Sequence, residues 1–294
     1  MNYRKSRGEQ IFDVFNHSFL FIFMLATLYP FIHVLFTSIS DPAWIGNYFG
    51  WMFYPRGFSI GAYKKIFESP EIVRSILNSV IYVVGSTALQ IILTVMGGFV
   101  LSKKDLPFKG VILVFLVIPM YVSGGLIASY LWMGQIGLTN TMWIMILGAP
   151  SSYSIILVRA NIQSVPAEIE ESATIDGAQS MTIIIRIIIP LILPIIAMIA
   201  LWSAVGTWNS WLQPLIYLRD KNLYPLTVIL RNMMVETSAR PNMPLNDINE
   251  EILSTFMETM KHAIAIVSLI PVVAVYPFLQ KYFTKGILVG AIKG

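Results

Sequence analysis

The residues best suited to specific chemistry lie in one short segment, 166–180, which reads PAEIEESATIDGAQS. Four carboxylates fall within it although only 12% of the chain is charged, and a glycine follows the last of them. These residues are Glu168, Glu170, Glu171, Asp176 and Gly177. Exposed carboxylates form strong hydrogen bonds with Arg or Lys, and glycine adopts positive φ without steric cost. The segment therefore indicates a hinged, acidic docking surface.

The local sequence around this surface predicts a helix, a hinge and a second helix over 164–190. Ser164 can cap a helix and Pro166 suits a first helical turn. Gly177 suits the left-handed position that ends a helix, and a second helical stretch is expected from Ser180 to Pro190. On charge alone, a merely solvated interfacial helix is the alternative.

The composition places the chain outside the soluble globular class. It has 294 residues, of which 56% are hydrophobic, and a mean hydropathy of +0.69, whereas soluble domains are roughly 45–50% apolar and about 25% charged. The net charge of +4 gives no case for nucleic-acid binding. Because there are no cysteines, disulfides and thiolate metal sites are excluded.

Long runs without Asp, Glu, Lys or Arg predict an all-α integral membrane protein with six transmembrane helices. A spanning helix needs about 20 mostly apolar residues. The charge-free run 110–158 is too long for one span and is divided at the turn signals of 134–140. The predicted spans are 16–39, 76–101, 110–131, 140–159, 190–217 and 262–281.

The basic residues of the short loops predict the orientation. Lys103, Lys104 and Lys109 lie at 102–109, whereas 132–139 has no basic residue. Because cytoplasmic loops carry the Lys/Arg excess, both termini and the acidic segment are expected in the cytoplasm.

A substrate pathway would need polar and aromatic groups on one helix face. In the fifth span, Trp202, Gly206, Asn209 and Gln213 follow one another at spacings of 4, 3 and 4. Trp208 and Trp211 lie near its outer end. Helix packing or interfacial anchoring would explain these residues equally well. A similar stripe in the second span favours helix packing and comprises Ser86, Gln90, Thr94 and Gly97.

The sequence contains no energy source of its own. It lacks G-x-x-x-x-G-K-[ST], so it has no P-loop for ATP. The span interiors also lack the ionisable group that ion-coupled carriers typically hold at mid-membrane. A self-sufficient secondary sugar carrier or channel remains the alternative, and a membrane enzyme has the least support because no catalytic set is present.

The acidic segment also resembles a family signature. Glu171-Ser172-Ala173, then Gly177, then Ile187 to Pro190 reproduces the spacing of the EAA motif of ABC importer permeases, E-A-A-x3-G-x9-I-x-L-P. The sequence departs from it at Ser172 and Ile189. The triplet DGA, the stretch WNSW at 208–211 and the glycine-rich tail are similar to the carbohydrate-importing, maltose-permease-like subgroup. The opening residues and SGGL at 123–126 resemble the LplC-like permeases in particular.

This resemblance implies a type I ABC importer permease fold and a transport subunit that is not itself an enzyme. The segment 164–190 would be the coupling segment, which docks on an ATPase subunit and transmits its nucleotide cycle. The residues implied in ATPase coupling are Glu168, Glu170, Glu171, Ser172, Ala173, Asp176, Gly177 and Ala178.

The implied partners are a second homologous permease subunit, two ATP-binding cassette ATPases and an extracytoplasmic solute-binding protein, in a bacterial plasma (inner) membrane. No cofactor would bind to this chain, since ATP and Mg would be held by the ATPases. Residues 1–75 would form an N-terminal segment, and 76–294 the core permease domain. Neutral oligosaccharides, pectin-derived uronides and alginate fragments all fit as cargo.

Overall fold

The computed structural model describes residues 6–45, 50–148, 150–239 and 256–275. Regular structure within these ranges is helical, apart from one isolated antiparallel bridge between Ser40 and Phe58. The helices are α1 (Arg7–Ser38), α2 (Pro42–Ile45), α3 (Gly61–Glu68), α4 (Pro70–Ser102), α5 (Lys109–Tyr121), α6 (Gly125–Gln135), α7 (Trp143–Ile146), α8 (Ser152–Gln163), α9 (Ala167–Ile175), α10 (Ser180–Ile183), α11 (Ile189–Leu191), α12 (Leu193–Asn209), α13 (Leu212–Tyr217), α14 (Leu226–Ala239) and α15 (Phe256–Val275). A π-helical turn, Ile184–Ile188, joins α10 to α11, and a 3₁₀ turn spans Lys221–Leu223.

Three helices are long and apolar enough to cross a membrane: α1, α4 and α15. Two further pairs qualify together but are bent. The α5–α6 pair bends by 117°, and the stretch Ser180–Leu191 bends by 85° against α12. The described residues thus contain up to five spans by length and composition, and the prediction of an all-helical membrane protein is confirmed.

Where three of the spans were predicted as single helices, the structure has shorter helices separated by breaks. Residues 110–131 divide at Val122–Gly124, after which Gly125 has φ of +77°. Residues 140–159 divide between α7 and α8, and residues 190–217 divide at Ser210 and Trp211. Hydropathy averaged over a span does not register short non-helical interruptions, so it missed these breaks.

The remaining predicted spans agree better with the structure. Residues 16–39 fall almost entirely on α1, and 76–101 lie within α4. The last span, predicted at 262–281, begins earlier, since α15 starts at Phe256. Residues 276–294 lie outside the described residues.

The described residues form two compact units. One comprises residues up to 70 together with 232–269, and within it Ser38 Oγ lies 2.7 Å from Tyr63 OH. The other comprises 71–231 together with 270–275, and its buried apolar cluster joins α4, α8 and the region from α10 to α12. This second unit contains the acidic segment 166–180. The predicted division into 1–75 and 76–294 stays a prediction.

Candidate functional site

The acidic segment folds as a helix that ends in a tight left-handed turn. Helix α9 is followed by Asp176 and then by Gly177, whose φ is +82°. Gly177 N donates to Thr174 O at 3.0 Å, and Ala178 N donates to Ala173 O at 2.9 Å. These two bonds define a Schellman motif, which satisfies carbonyls left open at a helix end. The left-handed glycine predicted at 177 is confirmed.

The start of this helix differs from the prediction. Ser164 does not cap α9, because its hydroxyl donates to Asn161 O at 2.7 Å and so completes the end of α8. Pro166 is the N-cap residue, with ψ of 133°, and makes no side-chain cap. Ser164 is the C-cap residue of α8 and lies two positions before Pro166, the N-cap residue of α9, so it belongs to the end of the first helix.

The turn attaches α9 to the apolar core on one side only. Ala173 and Ala178 pack against the buried cluster that includes Val158 and Ile188. The exposed residues of the segment include Glu168, Glu171, Ser172, Asp176 and Gly177. Ile175 on the same helix is 86% exposed, and Ile169 is 40% exposed. The exposed side therefore combines carboxylates with two apolar side chains, Ile175 and Ile169.

Glu170 behaves differently from the other carboxylates. It is half-buried and forms an ion pair with Lys103, which lies in the short loop after α4. The Lys103 ammonium also lies 4.1 Å from the centroid of the Phe99 ring. Burial lowers the pKa of Lys103, so removing the carboxylate would leave a charge in a place that disfavours it. Glu170 thus fixes α9 to the loop from within the chain.

A cleft of 720 Å³ separates this loop from the end of α8 and from α9. Its polar lining includes Lys103, Lys104, Asp105, Glu170 and Glu171. In the sequence analysis, Lys103 and Lys104 contributed only to the predicted orientation of the chain in the membrane. In the structure these lysines also face the carboxylates of α9. A basic loop and an acidic helix in one sequence suggest such a contact, but the sequence does not show which residues meet.

The last turn of α4 is held to α8 by backbone carbonyls. Arg159 Nε donates to Leu101 O at 3.1 Å, and Gln163 Nε2 donates to Ser102 O at 3.5 Å. Cationic and amide donors at a helix C-terminus satisfy carbonyls that have no partner within the helix. Close packing supports the same contact, because a Cβ added to Gly98 would lie 2.5 Å from a methyl carbon of Val158.

The predicted pathway residues divide into exposed and buried members. Trp202, Gly206, Asn209, Gln213 and Trp211 are exposed, although Gln213 and Trp211 lie beyond the end of α12. Trp208 is buried, with 8% exposure, and so does not share this face. The chain break after α12 interrupts the single helical stripe that the spacing predicted.

The neighbouring face of α12 contacts α4. Ser86 Oγ lies 3.0 Å from Thr207 Oγ1, and Thr87 Oγ1 donates to Ser203 Oγ at 3.3 Å. Hydroxyl pairs of this kind join membrane helices. The packing preference predicted for the stripe of the second span is therefore supported at Ser86.

One neighbour of the pathway residues was missed by sequence reasoning. The Arg231 guanidinium lies 5.8 Å from the centroid of the Trp211 ring, although Arg231 falls between the predicted fifth and sixth spans, 190–217 and 262–281. The available signal was the apolar pattern after Pro225, which here forms α14.

Comparisons with known proteins identify related chains. Residues 90–289 match the family model described as "Binding-protein-dependent transport system inner membrane component". The polygalacturonan/rhamnogalacturonan transport system permease protein YtcP of Bacillus subtilis (strain 168) is 34% identical over 289 residues, covering 97% of this chain and 99% of the relative. Protein LplC of the same organism is 33% identical over 293 residues, covering 98% and 97%.

A solved structure is similar over almost the whole chain. It is the crystal structure of a bacterial ABC transporter involved in the import of the acidic polysaccharide alginate, and one of its chains aligns with a TM-score of 0.86 and 30% identity. The alignment covers 96% of this chain and 100% of that one.

Proposed function

Because the chain belongs to the family of binding-protein-dependent transport system inner membrane components, we propose that it is one of two permease subunits of an ATP-driven importer for oligosaccharides or polysaccharide fragments. The observation that carries the proposal is the acidic helix α9, whose glycine turn attaches it to the buried core of the spans. A force applied to the exposed side of α9 would be transmitted to α4, α8 and α12 through that core.

The exposed side of α9 would dock on an ATPase subunit. Glu168, Glu171 and Asp176 would accept hydrogen bonds from basic residues of the partner, with Ser172 beside them. Ala173 and Ala178 would transmit the movement, because they pack against the core, and Gly177 permits the turn between them. Glu170 would contribute by holding α9 to Lys103. ATP and Mg would bind to the ATPases and not to this chain.

The exposed residues of α12 would line the substrate pathway. Trp202, Gly206 and Asn209 would form its wall, Gln213 and Trp211 would lie at its outer end, and buried Trp208 would support the wall from behind. A homologous permease would supply the opposite wall, and an extracytoplasmic solute-binding protein would deliver the saccharide.

The proposed orientation places both termini and α9 in the cytoplasm of a bacterial cell. Lys103, Lys104 and Lys109 support it, because short cytoplasmic loops carry the basic excess.

Reconstitution of the complete complex in proteoliposomes tests the proposal. Glu171→Lys and Gly177→Pro are expected to abolish saccharide import and the ATP hydrolysis coupled to it, while the complex still inserts. Glu68→Lys is the matched control, because Glu68 is an exposed carboxylate outside the acidic segment and pairs with Lys64 at 3.8 Å. Normal import by either α9 variant would overturn the coupling assignment, and saccharide flux through the purified chain alone would favour a self-sufficient carrier.

A further inference from the structure

The break between α12 and α13 exposes a tryptophan at the outer end of the proposed pathway. Ser210 is extended, with ψ of 121°, and Trp211 precedes α13 with a non-helical φ of −123°. Non-helical backbone at membrane depth is tolerated where it is buried in protein or lines a water-filled cavity. Trp211 is 44% exposed and Asn209 is exposed beside the break, which suits the water-lined case on the proposed pathway.

Helix α14 is fixed against this break at its first turn. Leu226 and Val228 are buried, and Leu226 N donates to Ser79 Oγ of α4 at 2.9 Å. Thr227 Oγ1 donates to Ser210 O at 2.7 Å, directly at the break.

One helical turn further, α14 places a cation beside the exposed ring. Arg231 follows Thr227 by four residues and so lies on the same helix face. Its guanidinium is 5.8 Å from the centroid of the Trp211 ring, within the range of a cation–π contact. The bond at Thr227 and the ring contact thus both contribute to the position of this positive charge.

We propose that Arg231 and Trp211 form a subsite for a carboxylate-bearing sugar residue, a hexuronate, on the import pathway. An arginine guanidinium matches a carboxylate with two parallel hydrogen bonds. The flat indole face offers an apolar surface to the C–H face of the sugar ring. The amides of Asn209 and Gln213 are exposed nearby in sequence and suit hydroxyl groups. This inference rests on the proposed saccharide import and narrows its cargo to acidic fragments.

The test uses the complete complex in proteoliposomes with four probes: trigalacturonate, trimannuronate and the methyl ester of each. Arg231→Gln is expected to lower import of both acidic trisaccharides by about 10- to 100-fold, the value of hydrogen bonds to a charged group. Import of the esters is expected to stay nearly unchanged, because they lose no charge partner. Trp211→Ala is expected to lower import of all four probes. Arg219→Gln is the matched control, because Arg219 is an exposed arginine that donates to Tyr130 OH at 3.0 Å.

The outcomes separate this subsite from the function on which it rests. Equal losses for acids and esters in Arg231→Gln would mean that Arg231 only braces α14, and no loss would mean that it does not touch the cargo. Either result overturns the subsite. Import of the esters without the acids by the unaltered complex also overturns it but leaves saccharide import standing. Import of none of the probes contradicts the subsite, whereas saccharide import is contradicted only if neutral oligosaccharides are not imported either.

Discussion

Replacing Gly177 by alanine isolates the backbone contribution to coupling. The φ of Gly177 is +82°, and a Cβ added there would meet no heavy atom within 4 Å. The cost therefore involves no contact with remote residues and comes from the local clash of Cβ with the neighbouring backbone in the left-handed conformation, about 1–2 kcal/mol for an L-residue. That strain acts on the two hydrogen bonds that join α9 to the following residues, Gly177 N to Thr174 O and Ala178 N to Ala173 O.

The expected result is a graded loss of coupling. A strain of this size changes an equilibrium by roughly 5- to 30-fold, so Gly177→Ala is expected to lower import-coupled ATP hydrolysis by up to that factor. Gly177→Asn should lose less, because asparagine tolerates the left-handed region better. The assay measures coupled ATP hydrolysis and saccharide import by the same proteoliposomes, together with the amount of complex inserted.

A matched glycine provides the control. Gly110, at the start of α5, also has open space around an added Cβ but has no positive φ. Gly110→Ala should leave coupling intact, because alanine is favoured over glycine in a helix by about 1 kcal/mol. Equal coupling in Gly177→Ala, Gly177→Asn and the unaltered complex would refute the requirement for a left-handed turn.

Three further perturbations follow from contacts in the same unit. Lys103→Glu should reduce coupled ATP hydrolysis, and the double variant Lys103→Glu/Glu170→Lys should partly restore it. The ion pair contributes about 0.2–1 kcal/mol, because both side chains are about a third exposed. Failure of the double variant to restore hydrolysis would contradict the pairing. Gly98→Ala should lower the stability of the complex in detergent by about 1–3 kcal/mol, measured as a lower Tm, because the added Cβ would lie 2.5 Å from Val158. An unchanged Tm would show that α4 and α8 can move apart at this contact without cost. Ile175→Ser should leave that Tm unchanged but weaken co-purification of the ATPase, whereas undiminished co-purification would exclude Ile175 from the docking surface.

Features that depend on a few neighbouring residues were readable from the sequence. The charge-free runs located α1 and α4, since apolar length is a sum over adjacent positions. Asp176-Gly177 predicted the left-handed turn, because the steric freedom of glycine is a property of the residue itself.

Only the tertiary structure decided which distant residues meet. Glu170 was grouped with the docking carboxylates, yet its partner Lys103 lies 67 positions earlier in the chain. Likewise, no local pattern places Arg231 over Trp211.

The burial of individual side chains also depended on residues that are distant in sequence. Spacing put Trp202 and Trp208 in the same span, but packing exposed the first and buried the second. Helical periodicity gives the direction of each side chain, whereas its surroundings depend on helices that are remote in sequence. The sequence by itself thus determined a helical membrane protein with a hinged acidic segment, and the packing of α4, α8, α9 and α14 decided which of its charges are held inside the chain and which face outward.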